Sequence, residues 1–381
     1  MMKIAVGHSL DPDSLEAIDE VLEQCDRILE GAKPKAGILF AAIGFDYALI
    51  LKRIDEVFPN IELIGGTTDG EVSSIFGFQQ DSITLMVFDL ENVEIRAAVG
   101  RNISEDPTRI ARETVEKALE SINTSPKFCI ALPESLTTST VSILSGLQLA
   151  LENVPIFGGA TADNWEFQCT HQFYKTEVLS DSVPILLFAG DLLFSHGVSS
   201  GWKPLGKKGV LTKVDRNIVY EIDNNSALDF YRYYLDGLTA VAEYPIAVFS
   251  PDTTQFYLRG CMGYDESAES ITLAGDVFEG AVIQIAEAAC EDILAASKIA
   301  FKNAMETYPG ENPIAVLIFS CASRRHLLGM MTNEEYEIIQ GCFDRDILSC
   351  GFYTYGEISP LLNKNKAVFH NITFTSLLIG K

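Results

Sequence analysis

Positive charge is scarce in this sequence. It has 28 Lys and Arg against 53 Asp and Glu, which gives a formal net charge of −25. Arg324-Arg325 is the only pair of adjacent arginines, and no larger basic cluster is present. Phosphate backbones and anionic lipids repel a polyanion. The composition therefore argues against nucleic acid and membrane surfaces as partners.

Long hydrophobic runs are also missing. The best candidate, residues 183–194, is interrupted by Asp191 and falls short of the roughly 20 apolar residues that a membrane-spanning helix needs. The amino terminus becomes polar too soon for a signal peptide. We therefore expect a soluble, cytoplasmic protein.

Paired cysteines are absent as well. The eight cysteines are scattered, none forms a C-x-x-C pair, and several lie in apolar runs, such as Cys129 between Phe128 and Ile130. This usage is typical of reduced, buried thiols rather than of disulfides or a zinc site. Neither the Gly65-Gly66 loop nor the Gly158-Gly159 loop has the G-x-x-x-x-G-K pattern of a phosphate-binding loop. We expect no cofactor and no metal.

An ordered recurrence of motifs organises the 381 residues. Val99-Gly100 repeats Val6-Gly7 (99 − 6 = 93), and Gly158-Gly159 repeats Gly65-Gly66 (158 − 65 = 93). The pattern predicts that residues 3–90 and 93–190 share the order strand-helix-strand-helix-strand-strand. A third, weaker copy is predicted at 281–379, opening with a strand at 281–285.

The fold class that follows is α/β. We expect duplicated βαβαββ units that form mixed sheets flanked by helices, and a second α/β domain with extra antiparallel strands, including a hairpin at 210–222. Gly and Pro concentrate at Gly201-Trp202-Lys203-Pro204. The predicted domains are therefore residues 1–200 and 201–381.

Polar residues follow several predicted strands. Thr67 and Asp69 come after Gly65-Gly66, and Thr161 and Asp163 come after Gly158-Gly159. Ligands in open α/β sheets bind beyond the carboxyl ends of the strands, where glycines expose backbone N–H groups. Tight turns with capping side chains are the alternative for each loop.

The clearest candidate site lies near the carboxyl terminus. The segments ending at Phe319 and Cys350 are predicted to be neighbouring parallel strands, so the loops after them would meet. Arg324 would then face Tyr353, Tyr355 and Glu357 and grip a carboxylate, while Glu357 receives an amine. A buried Arg–Glu pair is an equally good interpretation. The candidate ligand-binding residues are Cys321, Arg324, Tyr353, Thr354, Tyr355, Glu357, Thr67, Asp69 and Asp163.

Several of these motifs resemble the FIST family over nearly the whole chain. The most specific are Ser320-Cys321-Ala322-Ser323-Arg324 and Gly351-Phe352-Tyr353-Thr354-Tyr355-Gly356-Glu357-Ile358, and His370-Asn371-Ile372-Thr373 fits as well. The resemblance implies a sensory input domain of signal-transduction proteins that binds small ligands such as amino acids. No output domain is recognisable, so a separate signalling partner is expected.

Two other functions stay open. Cys321 ends a predicted strand, with His326 nearby and Glu357 as a possible orienting group, so a cysteine-dependent enzyme acting on a small metabolite is the main alternative to a sensor. A protein-interaction scaffold is the other, and the polar loops make it less attractive. We expect a sensor that is not an enzyme.

The enzyme alternative can be tested on Cys321 itself. A catalytic thiol needs a lowered pKa and access to solvent. We expect neither, nor a pairing of Cys321 with His326, so iodoacetamide near neutral pH should not modify Cys321 rapidly or selectively in the folded protein. Peptide mass spectrometry over a time course measures this. Fast, selective alkylation of Cys321 would support the enzyme instead.

Overall fold

A computed structural model describes residues 2–249, 255–342, 347–362 and 364–381. Its strands form three six-stranded sheets and one eight-stranded sheet. The first unit of the fold contains β1 (Met2–Ser9), α1 (Ser14–Leu29), β2 (Ala36–Ala41), α2 (Tyr47–Val57), β3 (Glu62–Thr67), β4 (Glu71–Ser73), β5 (Gly77–Gln79) and β6 (Ile83–Leu90).

The second unit repeats this order. It contains β7 (Val93–Arg101), α3 (Pro107–Leu119), β8 (Pro126–Ala131), α4 (Thr140–Leu151), β9 (Ile156–Gly159), β10 (Gln172–Tyr174), β11 (Glu177–Leu179) and β12 (Ser182–Gly190). The predicted common topology is therefore present, with one addition. Each unit has a hairpin before its last strand, and strands of three residues are too short for a periodic sequence signal.

An inserted eight-stranded sheet interrupts the third unit after its first strand. That strand is β13 (Leu193–Ser199), and the insertion contains β14 (Lys203–Asp215), β15 (Ile218–Ile222), β16 (Asn225–Ser226), α5 (Ala227–Tyr234), β17 (Ile246–Phe249), β18 (Phe256–Arg259), β19 (Cys261–Asp265), β20 (Ser270–Leu273) and β21 (Val282–Glu287). The predicted hairpin at 210–222 is confirmed as the β14–β15 pair.

The rest of the third unit follows the insertion. It contains α6 (Cys290–Glu306), β22 (Pro313–Cys321), α7 (Ala322–Leu328), α8 (Thr332–Gln340), β23 (Leu348–Thr354), β24 (Glu357–Pro360), β25 (Ala367–His370) and β26 (Phe374–Gly380). Two short 3₁₀ turns, Ile103–Glu105 and Gly329–Met331, join neighbouring elements.

The strand predicted to open the third unit is corrected. Residues 282–287 form β21, which pairs with β14 and β17 of the inserted sheet, whereas β13 pairs with β26 along its whole length. Sequence proximity to α6 suggested the wrong strand, because an insertion separates β13 from its own unit. β13 lies before residue 200, and the division into domains at that residue stays a prediction.

The three six-stranded sheets share one strand order. In each, the first strand of a unit is followed by its last, second and third strands and then by a hairpin from another unit. Hairpin β10–β11 completes the first sheet through β3, β24–β25 completes the second through β9, and β4–β5 completes the third through β23. The units are therefore interlocked by backbone hydrogen bonds.

The three sheets pack on one another through a shared apolar core. Side chains from every sheet enter it, among them Phe40, Phe128 and Phe352. Helices cover the outer faces: α1 and α2 pack on the first sheet, α3 and α4 on the second, and α6 and α8 on the third. Among the described residues, no helix is long and apolar enough to cross a membrane.

Glycine occupies the same place in the third strand of every unit. A Cβ at Gly65, Gly158 or Gly351 would lie 2.2, 2.0 or 2.1 Å from a carbonyl oxygen of the neighbouring parallel strand. Gly65 and Gly66 are paired within the sheet, to Leu39 and Phe40 of β2. These glycines therefore permit close strand packing, and the expected ligand-facing loop at Gly65-Gly66 is corrected to a strand.

Gly65→Ala tests this constraint. The added methyl group would strike the Leu39 carbonyl, so we expect the free energy of unfolding to fall by about 1–3 kcal/mol, the usual range for overpacking. Urea titration followed by circular dichroism measures it. Gly263→Ala is the matched control, since a Cβ there meets nothing within 4 Å. Equal stability of the two variants would contradict the packing argument.

Candidate functional site

The two carboxyl-terminal loops do meet at one edge of the third sheet. β22 and β23 are parallel neighbours, with Cys321 opposite Thr354. Helix α7 begins directly after Cys321, and Tyr355 directly follows β23. The predicted strand pairing is confirmed, and it brings residues 321–324 and 353–357 into one region.

Arg324 does not face Glu357 across an open pocket, which corrects the expected placement. It is fully buried, and its Nη2 atom lies 2.6 Å from Oε1 of Glu335 on α8. The guanidinium also donates to the carbonyl oxygens of Ser200 and Ile293 and to the Ser297 hydroxyl. Arg324 therefore joins α6, α8 and the residue that follows β13, and its donors are used within the fold.

Tyr353 and Thr354 are buried too. The Tyr353 hydroxyl donates to Glu335 Oε2 at 2.7 Å, and the Thr354 hydroxyl donates to the Ala160 carbonyl at 2.8 Å. Tyr353 completes the Glu335 network, and Thr354 joins the third unit to the second. Neither side chain is free for a ligand.

Glu357 and Cys321 form a buried pair behind this edge. Glu357 Oε2 accepts hydrogen bonds from the backbone N–H and the hydroxyl of Thr373, whereas Oε1 has no partner among the described residues. Burial raises the pKa of Glu357 to about 8. Burial, reinforced by the Glu357 charge, raises the pKa of the Cys321 thiol well above its ordinary value. Both groups are therefore mainly protonated at neutral pH.

The polar residues of the first two units also have internal roles. Thr67 Oγ1 accepts from the His171 N–H, and the Asp163 carboxylate accepts from the N–H groups of Phe167, Gln168 and Cys169. Asp69 Oδ1 lies 2.6 Å from Arg325 Nη1. Burial outweighs this attraction and raises the pKa of Asp69 to about 7. In the loop after Gly158-Gly159, the Asp163 side chain therefore caps backbone N–H groups of a tight turn, which was the alternative to a ligand-binding role.

A cavity of about 770 Å³ lies where the second unit, the third unit and the inserted sheet meet. We call it the large cavity. The second unit contributes residues 135–140, Trp165 and Phe167, the third unit contributes residues 321–323, Tyr355, Phe369 and Asn371, and the insertion contributes residues 216–217, 240–242, 260–264 and 272–276. Of the residues predicted for the site, only Cys321 and Tyr355 lie on this wall.

Hydrogen bonds hold the aromatic part of the wall in place. The Tyr355 hydroxyl donates to Asp163 Oδ1 at 2.6 Å and accepts from the Trp165 N–H at 2.7 Å. The Tyr355 and Phe167 rings stack at 4.8 Å. Asn164, Trp165 and Phe167 all have positive φ, so this loop is bent into an uncommon conformation that Asp163 and Tyr355 stabilise.

Polar groups of three kinds reach the large cavity. Asp276 supplies a half-buried carboxylate, which accepts from the Ser139 hydroxyl at 2.5 Å and so links the insertion to the second unit. Arg216 is exposed and has no ion pair within the described part of the chain. Asn371 is only 2% exposed, and neither atom of its amide has a hydrogen-bond partner in that same part.

A second cavity, of about 460 Å³, also has Trp165 in its wall. We call it the small cavity. Phe78, Gln80, Arg325 and His326 line it, together with fully exposed Met330. The His326 ring lies against Trp165 with the ring centres 5.1 Å apart. His326 therefore lines the small cavity and packs against Trp165. In the described chain, no hydrogen bond links His326 to Cys321.

Sequence reasoning missed most of the cavity wall. Residues 135–139 begin four positions after the end of β8, so their hydroxyl-rich composition near a strand's carboxyl end was an available signal. Glu335 was also recoverable, because it shares a helical face with Thr332 and Ile339. Arg216 and Asp276 carry no local pattern, whereas Asn371 lies in the His370-Asn371-Ile372-Thr373 motif of the FIST resemblance and was not proposed for the site. Among the described residues, no group of three or more His, Cys, Asp or Glu is arranged to hold a metal ion.

Comparison with known proteins gives a consistent family match. Models of the FIST N domain and the FIST C domain match residues 35–225 and 227–360. The uncharacterized protein MJ1623 of Methanocaldococcus jannaschii is 26% identical over 330 residues, and the match covers 78% of this chain but only 60% of that protein. The uncharacterized protein Mb0898c of Mycobacterium bovis is 21% identical over 399 residues, covering 99% of this chain and 98% of that protein.

Solved structures give weaker similarity. Cyanuric acid hydrolase from A. caulinodans has a TM-score of 0.42 and 11% identity, with 100% of this chain and 99% of that chain covered. PurLQS from Thermotoga maritima has a TM-score of 0.24 and 11% identity, covering 100% of this chain and 72% of that chain. Nothing about the chemistry of this chain follows from scores this low.

Arg324→Ala tests the structural role of the buried ion pair. Removing one partner leaves Glu335 buried without its cation, so we expect the free energy of unfolding to fall by about 3–5 kcal/mol. Urea unfolding measures the change. Arg109→Ala is the control, because the Arg109–Glu113 pair is 49% and 50% exposed and its loss should cost no more than about 1 kcal/mol. An Arg324→Ala protein as stable as the wild type would argue against this role.

Proposed function

Because this chain belongs to the FIST family, we propose that it is a sensory protein that binds a small amino-acid-like ligand in the large cavity and signals to a separate partner protein. FIST domains are sensory domains implicated in signal transduction through small-ligand binding. The observation that carries the proposal is the large cavity, whose wall holds a buried amide without a hydrogen-bond partner among the described residues.

The size and lining of the cavity support a small ligand. Ligand sites usually enclose about 300–1,000 Å³ and combine apolar walls with a few polar groups. The large cavity, at about 770 Å³, lies within that range. Its aromatic wall is fixed by the Tyr355–Asp163 hydrogen bond, so the cavity is formed before any ligand arrives.

The charges on the wall favour a zwitterion. Arg216 offers a guanidinium that can bind a carboxylate, and Asp276 offers a carboxylate that can bind an ammonium group. In the amino-acid hypothesis, Arg216 therefore replaces Arg324 as the residue that binds the ligand's carboxylate, and Asp276 replaces Glu357 as the residue that binds its ammonium group. The net charge of the whole chain, −25, disfavours a ligand that is strongly anionic.

Trp165 provides a physical link from ligand to partner. Its side chain belongs to the walls of both the large and the small cavity, and its loop has three residues with positive φ. A ligand that moves the indole would change the small cavity, where Met330 is fully exposed. We place the surface for the signalling partner there.

A sensor fits this site better than a cysteine enzyme does. Cys321 lines the large cavity, but it is only 3% exposed, and burial raises its pKa. The thiolate is the reactive form, so a thiol held protonated is a poor nucleophile. The Glu357 beside it is also mainly protonated and is no base at neutral pH.

A thermal-shift screen with the free amino acids tests the proposal. We expect at least one of them to raise the melting temperature, since a ligand at a hundred times its Kd stabilises by about 2.7 kcal/mol. Arg216→Gln and Asp276→Asn should each remove most of the shift. Arg112→Ala is the control, because the Arg112–Glu116 pair is exposed on α3. Absence of any shift, or equal shifts in all variants, would refute an amino-acid ligand at this site.

A further inference from the structure

Asn371 is the most unusual polar residue of the large cavity. It lines the cavity, is only 2% exposed, and both Oδ1 and Nδ2 lack a hydrogen-bond partner in the described chain. Buried side-chain amides are normally satisfied, because an unmade hydrogen bond leaves their desolvation uncompensated. Asn371 thus has an unpaired donor and an unpaired acceptor, side by side in one plane, at the wall of the cavity.

The backbone around Asn371 is held in a strained conformation. Ile372 has a φ of 64°, a region that a β-branched residue rarely adopts. Its neighbour Thr373 is fixed from two sides, since its N–H donates to Glu357 Oε2 and its carbonyl accepts from the Cys321 N–H. Strain of this kind persists where the surroundings over-determine the backbone, and such places cluster at ligand sites.

Gly356 makes room for the amide. A Cβ at this position would lie 3.1 Å from Asn371 Nδ2 and 2.3 Å from Phe369 Cζ. Arg259 holds the neighbouring wall, because it donates to the carbonyl oxygens of Asp276 and Phe369. The Asn371 amide therefore lies in a fixed setting with an aromatic ring beside it.

We propose that Asn371 determines the specificity of the large cavity and that the ligand presents to it a planar amide-type group, with an N–H donor beside a carbonyl acceptor. The inference rests on the proposed ligand-binding function and adds the chemical class of the ligand. A planar donor–acceptor group satisfies both atoms of an asparagine amide at once, as an adenine edge does. A carboxylate would pair with Nδ2 and leave Oδ1 facing negative charge, and an apolar group would satisfy neither.

Two kinds of molecule carry this group, and matched probes distinguish them. One is a free amino acid with a carboxamide side chain, and the other is a ring with a lactam edge. We would measure binding of L-glutamine against L-glutamate, L-asparagine against L-aspartate, and uracil alone by calorimetry. An amide-bearing probe should bind at least about tenfold more tightly than its carboxylate partner, because a site built for hydrogen bonding rejects a ligand that leaves its polar groups unpaired.

Asn371→Leu separates recognition from a structural role. Leucine removes the amide at similar volume, so the preference for amide-bearing probes should disappear. The melting temperature of the free protein should not fall and should rise by roughly 1–4 °C, because an unpaired buried polar group is removed. Thr375→Val is the matched control. It removes a different buried and unpaired polar group of the described chain, a hydroxyl that does not line the large cavity, and it should leave binding unchanged.

The outcomes distinguish this inference from the function on which it rests. If amino acids bind without preference for the amide, or if Asn371→Leu keeps that preference, the role of Asn371 is refuted and the sensor stands. If uracil alone binds, the amide inference stands and the amino-acid ligand falls. If no probe binds the wild type, the amide inference is refuted, and the thermal-shift screen with the remaining amino acids decides the proposed function separately. Should the leucine variant not fold, Asn371→Asp replaces it, and glutamine or uracil binding should weaken at least about tenfold.

Discussion

Each six-stranded sheet is completed by a hairpin that the chain contributes from another unit, and the rest of the structure depends on this exchange. Hydrogen bonds of β4, β10 and β24 satisfy the open edges of β23, β3 and β9. An uncovered edge strand exposes a row of unpaired backbone groups, so no unit is complete alone. The exchange also brings the turns before these hairpins together, which places Asp163 within reach of Tyr355.

The buried ion pair shows why the most attractive binding residue is structural. Arg324 lies at a strand's carboxyl end, where ligands commonly bind, but α6 and α8 close over it. A charge removed from water must be paired and hydrogen-bonded, and Glu335, Ser297 and two carbonyls meet that need. The open space has Cys321 in its wall and lies where the inserted sheet, the second unit and the third unit meet.

The inserted sheet turns this edge into a cavity. It supplies Arg216 and Asp276, while the interlocked units supply the aromatic wall and Asn371. Ser139 and Arg259 bind the insertion to the second and third units through Asp276 and Phe369. A ligand in this space would touch all three parts at once. That arrangement suits a sensory protein, because binding energy can then bias their relative arrangement.

Local patterns in the amino-acid sequence were enough to predict the α/β class, the order of strands and helices in the first two units, the parallel pairing of β22 with β23 and the resemblance to FIST proteins. Those properties follow from local periodicity and from motifs along the chain. Long-range contacts in the folded chain were needed to show which unit each hairpin completes, that β13 opens the third unit, and that Arg324 pairs with Glu335. The same contacts place Asn371 in the wall of one cavity with Arg216 and Asp276. These contacts join residues far apart in the chain, and no local pattern encodes which distant partner a buried group will find.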